Sequence, residues 1–163
     1  MAESLCHTAL KKFRDKYGVI KNVSDKEFFT NSIHIPVWVD VTPFEKIDIE
    51  SELTKYSNAG CITYVEIETI ANHNIKALRK VVQYAMIEKD IPYLGLNISP
   101  DCCRDCGWDG AINDTCPKCG SDNIQRLRRV TGYITESYLD AFNDGKIDEV
   151  QHRVTHHGIV NDV

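Results

Sequence analysis

Four cysteines lie in two Cys-x-x-Cys pairs, Cys103/Cys106 and Cys116/Cys119, with nine residues between the pairs. A glycine follows each pair, and glycine permits the positive φ at which a tight turn points its backbone amides towards sulfur. Four thiolates at this spacing suit a tetrahedral Zn²⁺ ion in a closed site, and zinc is favoured over iron. Because four thiolates leave no open coordination position, the pattern predicts a structural metal rather than a catalytic one.

The segment around these cysteines has little apolar material with which to fold. Residues 99–124 are rich in glycine, aspartate and asparagine and hold five cysteines, so a bound metal would supply the missing stabilisation. The competing interpretation, a set of reduced surface cysteines, leaves several thiols exposed without a reason. The chain has seven cysteines, an odd number that favours a reduced metal site over a disulfide framework. Cys102 adjoins the first ligand and is predicted to be a bystander.

The composition is that of an ordinary globular protein and argues against several partners. The 163 residues are 42% hydrophobic and 26% charged, enough for one domain with or without a small appended module. A net charge of −5 gives no basic footprint for nucleic acid or anionic lipid, and the short cluster Arg126, Arg128 and Arg129 lacks interleaved aromatic residues. No apolar run approaches the ~20 residues that span a bilayer. We therefore expect a cytoplasmic protein that contacts neither membrane nor nucleic acid directly.

Residues 61–98 form the clearest structural unit. A strand over 61–67, an amphipathic helix over 72–88 and a second strand over 93–98 predict a βαβ crossover with parallel pairing. Two strands and a helix do not make a stable sheet alone, so further strands are expected from elsewhere, which hints at a partner chain. The helix side chains predicted to face inward are Ile75, Leu78, Val81, Val82 and Met86.

Shorter patterns predict the remaining elements. A helical stripe starts near Leu5 and stops at Gly18, and a capping box at residues 24–27 predicts a short helix through 29. Residues 33–39 are β-rich, and Pro36 favours an edge, a bulge or an irregular strand there. Pro43 and Glu45 begin a helix towards Tyr56. Residues 125–131 have strand character, and helices follow over 136–143 and 146–156. The histidines His152, His156 and His157 are expected at the surface or as helix-dipole partners.

Gly132 lies thirteen positions after Cys119, within Arg129-Val130-Thr131-Gly132-Tyr133. For an isolated glycine, a turn between a strand and a helix is the ordinary interpretation. Here the pentad and a set of downstream residues resemble the C-terminal signature of glycyl radical enzymes. These residues are Phe142-Asn143, Gly145-Lys146, Glu149, Arg153-Val154 and His157 or its neighbour His156. With a four-cysteine site before it, the pattern is similar to the anaerobic (class III) ribonucleoside-triphosphate reductases. Earlier landmarks extend the likeness over the whole chain: Ala2-Glu3-Ser4-Leu5, Thr30 to His34, Glu45-Lys46-Ile47, Tyr64-Val65-Glu66 and Tyr93 to Asn97.

The resemblance implies a particular architecture. The chain would be an α/β C-terminal fragment of a ten-stranded α/β (glycyl radical enzyme) barrel with a βαβ unit, followed by a four-cysteine zinc-ribbon module and a glycyl radical loop. The implied division is 1–98 for the C-terminal part of the barrel, 99–124 for the zinc module, and 125–163 for the glycyl radical loop and terminal helices. Thr131 replaces the small residue common before the radical glycine, a mild departure that bears on loop packing.

The resemblance also implies a chemistry. An activating radical-SAM enzyme would remove a hydrogen from Gly132, and the stored radical would oxidise a cysteine on a larger N-terminal reductase chain. That thiyl would act on a ribonucleoside triphosphate to yield the deoxynucleotide, with formate or a dithiol as electron donor. A glycyl radical needs a flat Cα that conjugates with both flanking amides, which glycine alone allows without steric cost. Gly132 is the one predicted catalytic residue, and structural Zn²⁺ is the predicted metal.

Residues near the N-terminus are candidates for substrate binding. In the family, the motif that matches Ala2, Glu3 and Ser4 opens a helix whose amides meet the substrate phosphates, an arrangement that helix N-termini suit. Simple helix capping is the equally good alternative. Asn31, Ser32 and His34 could line the substrate barrel, although a histidine such as His34 is more often a satisfied core residue.

Two classes of function fit these patterns. The first is an enzyme component: the separately encoded C-terminal piece of a split reductase, a spare part that replaces damaged glycyl domains, or a truncation of a longer enzyme. The abrupt start of the first helix favours this class. The second is a zinc-ribbon binding module that recognises nucleic acid or a protein partner without radical chemistry.

Overall fold

The computed structural model describes residues 3–29, 34–58, 60–67, 74–98, 101–130 and 132–156. Within these residues no helix has the length and apolar character needed to cross a membrane. The helices are α1 Glu3–Tyr17, α2 Pro43–Thr54, α3 Ile75–Gln83, α4 Tyr138–Ala141 and α5 Asp144–His152. The strands are β1 Thr63–Ile67, β2 Leu94–Ile98, β3 Asp101–Cys103, β4 Asp109–Gly110, β5 Ile124–Arg126, β6 Arg128–Val130 and β7 Tyr133–Thr135.

The βαβ unit is confirmed. Strands β1 and β2 pair in parallel, with Thr63 opposite Leu94 and Ile67 opposite Ile98, and α3 follows β1 in the connection between them. Buried side chains of α2, β1 and α3 form one apolar core between helices and sheet. In the described residues this sheet has two strands, so both of its edges lack a strand partner. The core residues are Ile47, Val65, Ile67, Ala77, Val81, Ala85 and Ile91.

The crossover helix differs from its prediction in two ways. It is α-helical only to Gln83 and continues as a π-helical turn, Tyr84–Glu88, closed by the hydrogen bond from Lys89 N–H to Tyr84 O. The wider turn changes the angular spacing of the side chains, and Met86 is 43% exposed instead of buried. Ile75, in the first helical turn, is also exposed, so two of the five predicted core positions are wrong.

Two local predictions before α2 are also wrong. Residues 24–28 form turns and bends instead of a helix, because the Ser24 hydroxyl caps the preceding turn by accepting from Ile20 N–H at 2.8 Å. Residues 34–39 contain no strand. Pro36 has no N–H for a ladder, and its carbonyl accepts from Val39 N–H in a turn. The positions 29–33 that complete these predictions lie largely outside the described residues.

The helix α2 begins as predicted. Thr42 and Glu45 form a reciprocal capping box, and Pro43 occupies the first turn. The helix ends at Thr54, two residues before Tyr56, and Gly60 adopts a positive φ of 86°. Helix α1 likewise ends before Gly18, whose φ is 75°.

The C-terminal part of the chain adds two small antiparallel sheets. The first has the order β4-β3-β5, with Cys103 at the end of β3 and the other three cysteines of the two pairs in its loops. The second is the hairpin β6-β7. Helix α5 lies against both α1 and β6. The hairpin therefore sits between the cysteine-bearing sheet and the helical part of the chain.

Candidate functional site

The four cysteines of the two pairs come together, as the sequence predicted. The sulfur of Cys103 lies 3.5 Å from that of Cys119, and the sulfur of Cys106 lies 3.6 Å from that of Cys116. All four sulfurs lie within 4.8 Å of one another, and the cysteines are not joined in disulfides. A tetrahedral Zn²⁺ with Zn–S of about 2.3 Å requires S···S separations of roughly 3.8 Å. The residues present therefore fit a four-coordinate ion.

Each pair sits on the same kind of backbone turn. Gly107 N–H donates to Cys103 O at 2.9 Å, and Gly120 N–H donates to Cys116 O at 2.8 Å. The two glycines adopt φ values of 68° and 75°, the left-handed conformation predicted for them. These two turns, residues 103–107 and 116–120, are the first and second cysteine knuckles. Each knuckle places its two thiols on the side that faces the other knuckle.

The electrostatics of the thiols favour a cation. Burial raises the pKa of Cys116, but hydrogen bonds from the amides of Cys119 and Lys118 outweigh it and lower the pKa to about 7. For Cys119 the amide of Ser121 lowers the pKa, while the neighbouring sulfurs of Cys106 and Cys103 raise it to about 12. Deprotonating one thiol therefore makes the next deprotonation harder, and a bound divalent ion would remove this repulsion.

The apolar core of this module is small. Ile112 is the one buried aliphatic residue beside Cys103 and Cys116, with Trp108 and Ile124 partly buried against them. Cys102, in β3 beside the first ligand, lies outside the four-sulfur cluster, as the sequence suggested. With so little apolar burial, an ion held by the four sulfurs would supply much of the stability of the module.

Gly132 lies at the tip of the β6-β7 hairpin, where Val130 pairs with Tyr133. Val130 is fully buried, whereas Gly132 is exposed and the flanking Tyr133 and Ile134 are each 53% exposed. A Cβ built on Gly132 meets no atom within 4 Å in the described structure. Local crowding therefore does not require glycine here.

A small cavity of about 40 Å³ lies beside β1 and the segment that follows α5. Its wall includes Glu66 on β1, whose Oε1 accepts from Arg153 Nη1 at 2.9 Å, and Glu149 on α5, whose Oε1 accepts from Arg153 Nη2 at 2.5 Å. His156 N–H donates to Glu66 O at 3.0 Å. Every one of these residues is buried or half-buried, so the network joins the end of the chain to the central sheet.

This network corrects the prediction for the C-terminal histidines. His156 is 6% exposed, and its Nδ1 accepts a hydrogen bond from Glu66 N–H at 2.9 Å. His152 is exposed, as expected, and its Nδ1 lies 2.8 Å from Asp148 O. His157 lies outside the described residues. The sequence did not indicate the hydrogen bond of His156 with Glu66, because the two residues are 90 positions apart.

The predicted substrate residues are placed only in part. Glu3 and Ser4 lie in the first turn of α1, and their side chains are not among those described, while Ala2 lies outside the described residues. Asn31 and Ser32 also lie outside. Nδ1 of His34 lies 3.2 Å from Oε2 of the buried Glu50. This contact agrees with the interpretation of His34 as a satisfied core histidine.

The fold and the site define the chain as a mixed α/β protein with a four-cysteine cluster whose geometry fits a metal ion. A sequence model of the family described as "Anaerobic ribonucleoside-triphosphate reductase" matches residues 2–156. The chain therefore belongs to this family, which confirms the resemblance seen in its motifs.

Individual relatives agree. The chain is 38% identical to the anaerobic ribonucleoside-triphosphate reductase of Escherichia coli (strain K12) over 96% of its own length and 23% of that protein. It is 37% identical to the reductase of Enterobacteria phage T4 over 95% of its length and 26% of the relative. A solved anaerobic ribonucleotide reductase superposes with a TM-score of 0.65 at 19% identity, covering 96% of this chain and 24% of that one. The chain thus spans about a quarter of the proteins it resembles.

Proposed function

We propose that this chain is the radical-bearing C-terminal portion of an anaerobic ribonucleoside-triphosphate reductase, with Gly132 as the site of the stored radical. The portion would act together with a larger reductase polypeptide that carries the remaining barrel strands and the thiyl cysteine. Activation by a radical-SAM enzyme would install the radical. Residues 1–98 would complete the barrel, residues 99–124 would hold Zn²⁺, and residues 125–163 would present and support the glycyl loop.

The observation that carries this proposal is the surroundings of Gly132. A side chain there would meet nothing in the described structure, so packing does not explain the glycine, whereas radical chemistry at Cα does. The exposed Tyr133 and Ile134 beside it form an apolar tip that water would not favour. A barrel that closes over the tip would both bury these side chains and shield a radical from solvent.

Zinc supports the hairpin in this proposal rather than reacting. Four cysteine sulfurs satisfy a tetrahedral ion completely, so the ion would act as a brace for the module from which the hairpin emerges. Ala2, Glu3 and Ser4 remain a proposed phosphate contact at the start of α1, through the helix N-terminus.

The alternative of a nucleic-acid-binding module is less well supported. The basic cluster that motivated it is engaged within the chain, because Arg126 and Arg128 both bind Asp101. The guanidinium of Arg129 lies 5.2 Å from the centre of the Tyr64 ring. Few charges of the cluster are therefore left to contact phosphates.

Anaerobic activation tests the proposal. The protein is incubated with its activase, S-adenosylmethionine, a reductant and the remainder of the reductase, and is then frozen for electron paramagnetic resonance. We expect a doublet that collapses when the protein is labelled with α-deuterated glycine and that is absent in Gly132→Ala. A Tyr133→Phe variant, changed at the adjacent residue, should keep it. A doublet that survives in Gly132→Ala would overturn the assignment.

A further inference from the structure

The hairpin that carries Gly132 is joined to the cysteine module by a single intervening residue. Strand β5 of the module ends at Arg126 and strand β6 of the hairpin begins at Arg128, so Leu127 is the one residue between the two sheets. Leu127 is 36% exposed, and one residue does not by itself fix the angle between two sheets. The relative orientation of hairpin and module must therefore come from side-chain contacts across this joint.

Asp101 makes the first such contact. Its carboxylate is almost fully buried on β3, two residues before the metal-site Cys103. Oδ2 accepts from Arg126 Nη1 at 3.0 Å, and Oδ1 accepts from Arg128 Nη1 at 2.8 Å. One carboxylate of the module thus binds the last residue of β5 and the first residue of β6, on both sides of Leu127.

Glu136 makes the second contact, on the other strand of the hairpin. It directly follows β7, and its Oε2 accepts from Arg104 Nη2 at 2.5 Å, while its Oε1 accepts from Gln125 Nε2. Arg104 lies within the first cysteine knuckle, and its backbone N–H donates to Asn123 O at 3.0 Å. The returning strand is therefore tied to the knuckle itself.

The two contacts differ in strength. Asp101 is 6% exposed and its arginine partners are at most 32% exposed, so these charge-assisted hydrogen bonds are poorly screened. Glu136 and Arg104 are about half exposed, and such surface pairs contribute little by themselves. Asp101 is accordingly the main link, and Glu136 is a second, weaker attachment on the other strand of the hairpin.

We propose that Asp101 and Glu136 are positioning residues that transmit the state of the four-cysteine site to the Gly132 hairpin. With the ion bound, β3 and the first knuckle are fixed, and the two carboxylates hold both strands of the hairpin at one angle. When the ion is lost, β3 and the knuckle loosen, both links are released, and the hairpin is held only from its other side. The buried Val130 and the ammonium of Lys146, 3.4 Å from the centre of the Tyr133 ring, supply that remaining support.

The coupling stands on the contacts described, and its consequence for radical storage rests on the proposed function. If Gly132 carries the radical, a hairpin released by metal loss would no longer hold Cα where the activase and the thiyl cysteine reach it. A shift of about 1 Å is enough to impair such chemistry.

Amide hydrogen exchange on the intact protein, assembled with any separate reductase chain, tests the coupling directly. The test variant is Arg128→Gln/Glu136→Gln, which breaks both links from the hairpin side and leaves every residue of the cysteine module unchanged. The matched control is Arg79→Gln/Glu88→Gln, which removes the same two charges from exposed positions on α3 and the π-helical turn. Each protein is measured with Zn²⁺ and after chelation, and the metal content is determined.

In the unmodified protein and in the control, we expect zinc to slow exchange in residues 133–135 roughly tenfold or more, the effect of one charge-assisted hydrogen bond. In the test variant, zinc should still protect residues 101–126, but the hairpin should respond less than about twofold. A hairpin that keeps its full zinc response in the test variant overturns the proposal. So does a hairpin that ignores zinc in the unmodified protein while the module responds.

If the double variant does not fold, the single variants Arg128→Gln and Glu136→Gln decide the question. Arg128→Gln should weaken the zinc response of the hairpin more than Glu136→Gln, because it breaks the buried link. Full retention of the response in both overturns the proposal. The exchange measurement needs no radical, so failure to detect an electron paramagnetic resonance doublet in unmodified protein would count against the proposed function and leave the coupling result intact.

Discussion

The backbone N–H of Glu66 donates a hydrogen bond to Nδ1 of His156 at 2.9 Å, and His156 N–H returns one to Glu66 O at 3.0 Å. A backbone N–H can only donate, so Nδ1 must carry a lone pair and the proton of the neutral ring must be on Nε2. His156, four residues after the end of α5, is thereby attached to β1 by two hydrogen bonds. Through α5, which lies against β6, this attachment also supports the hairpin.

Substitution of His156 tests the attachment. Asn places its Oδ1 near the position of Nδ1 and can still accept from Glu66 N–H, whereas Ala leaves that buried donor without a partner. We expect His156→Ala to lower the free energy of unfolding by about 1–3 kcal/mol and His156→Asn to cost distinctly less. Chemical denaturation measures both. Equal losses in the two variants would show that ring packing, rather than the hydrogen bond, is responsible.

Glu50 predicts an acid limit for the stability of the fold. Burial raises the pKa of this carboxyl, but the hydrogen bond with His34 and the charge of Lys46 outweigh it and lower the pKa to about 2 from an ordinary value of 4.5. Because the folded-state pKa is depressed, the stabilisation is fully present above about pH 4.5 and is lost as the pH falls towards 2. The shift corresponds to roughly 3 kcal/mol.

The variant Glu50→Gln checks this effect at neutral pH. It leaves the buried ammonium of Lys46 without its counter-charge, and removing one partner of a buried pair costs about 3–5 kcal/mol. Glu52 lies on the same helix as Glu50 but is exposed, and it pairs with Lys55. Glu52→Gln should therefore lower the unfolding free energy by less than about 1 kcal/mol. Denaturation at pH 7 and pH 3 isolates the contribution of the ionised Glu50 carboxylate. The difference in unfolding free energy between Glu50→Gln and the unmodified protein should shrink at the lower pH.

Removal of one metal ligand should unfold the module selectively. In Cys116→Ser we expect loss of the bound zinc and loss of amide protection in residues 101–126, while β1, β2 and α3 remain protected. Cys102→Ser, one position from a ligand but outside the four-sulfur cluster, should retain one zinc per chain. Metal analysis and hydrogen exchange give the result. A chelated protein that keeps its protection in residues 101–126 would contradict a structural role for the ion.

Replacement by alanine should affect stability at Gly95 but hardly at Gly132. A Cβ on Gly95 would lie 2.6 Å from Tyr64 Cδ1, and the Tyr64 ring is itself held near Arg129 and His34. Gly95→Ala should therefore destabilise the fold by about 1–3 kcal/mol. Gly132→Ala should change the unfolding free energy by less than about 0.5 kcal/mol, because its Cβ meets nothing. Thermal unfolding distinguishes the two, and a large loss in Gly132→Ala would restore a purely conformational role for that glycine.

The sequence by itself determined the features that depend on residue type at short spacing. The two knuckles followed from Cys-x-x-Cys-Gly, because thiolate chemistry and a left-handed glycine need no distant partner. The βαβ unit followed from a strand, helix and strand of suitable length, and the capping box at Thr42 and Glu45 agreed with the start predicted at Pro43. Family membership followed from motifs spread along the chain.

The tertiary structure decided what depends on distant partners. Ser24 capped an earlier turn instead of a helix, the π-helical turn exposed Met86, and His156 reached a strand 90 residues away. The links from Asp101 and Glu136 were invisible in the sequence for the same reason: a carboxylate can pair with many arginines, and only the folded chain selects which one lies within 3 Å. Hydrogen bonds and ion pairs act over that short range, so their partners are set by folding rather than by spacing along the chain.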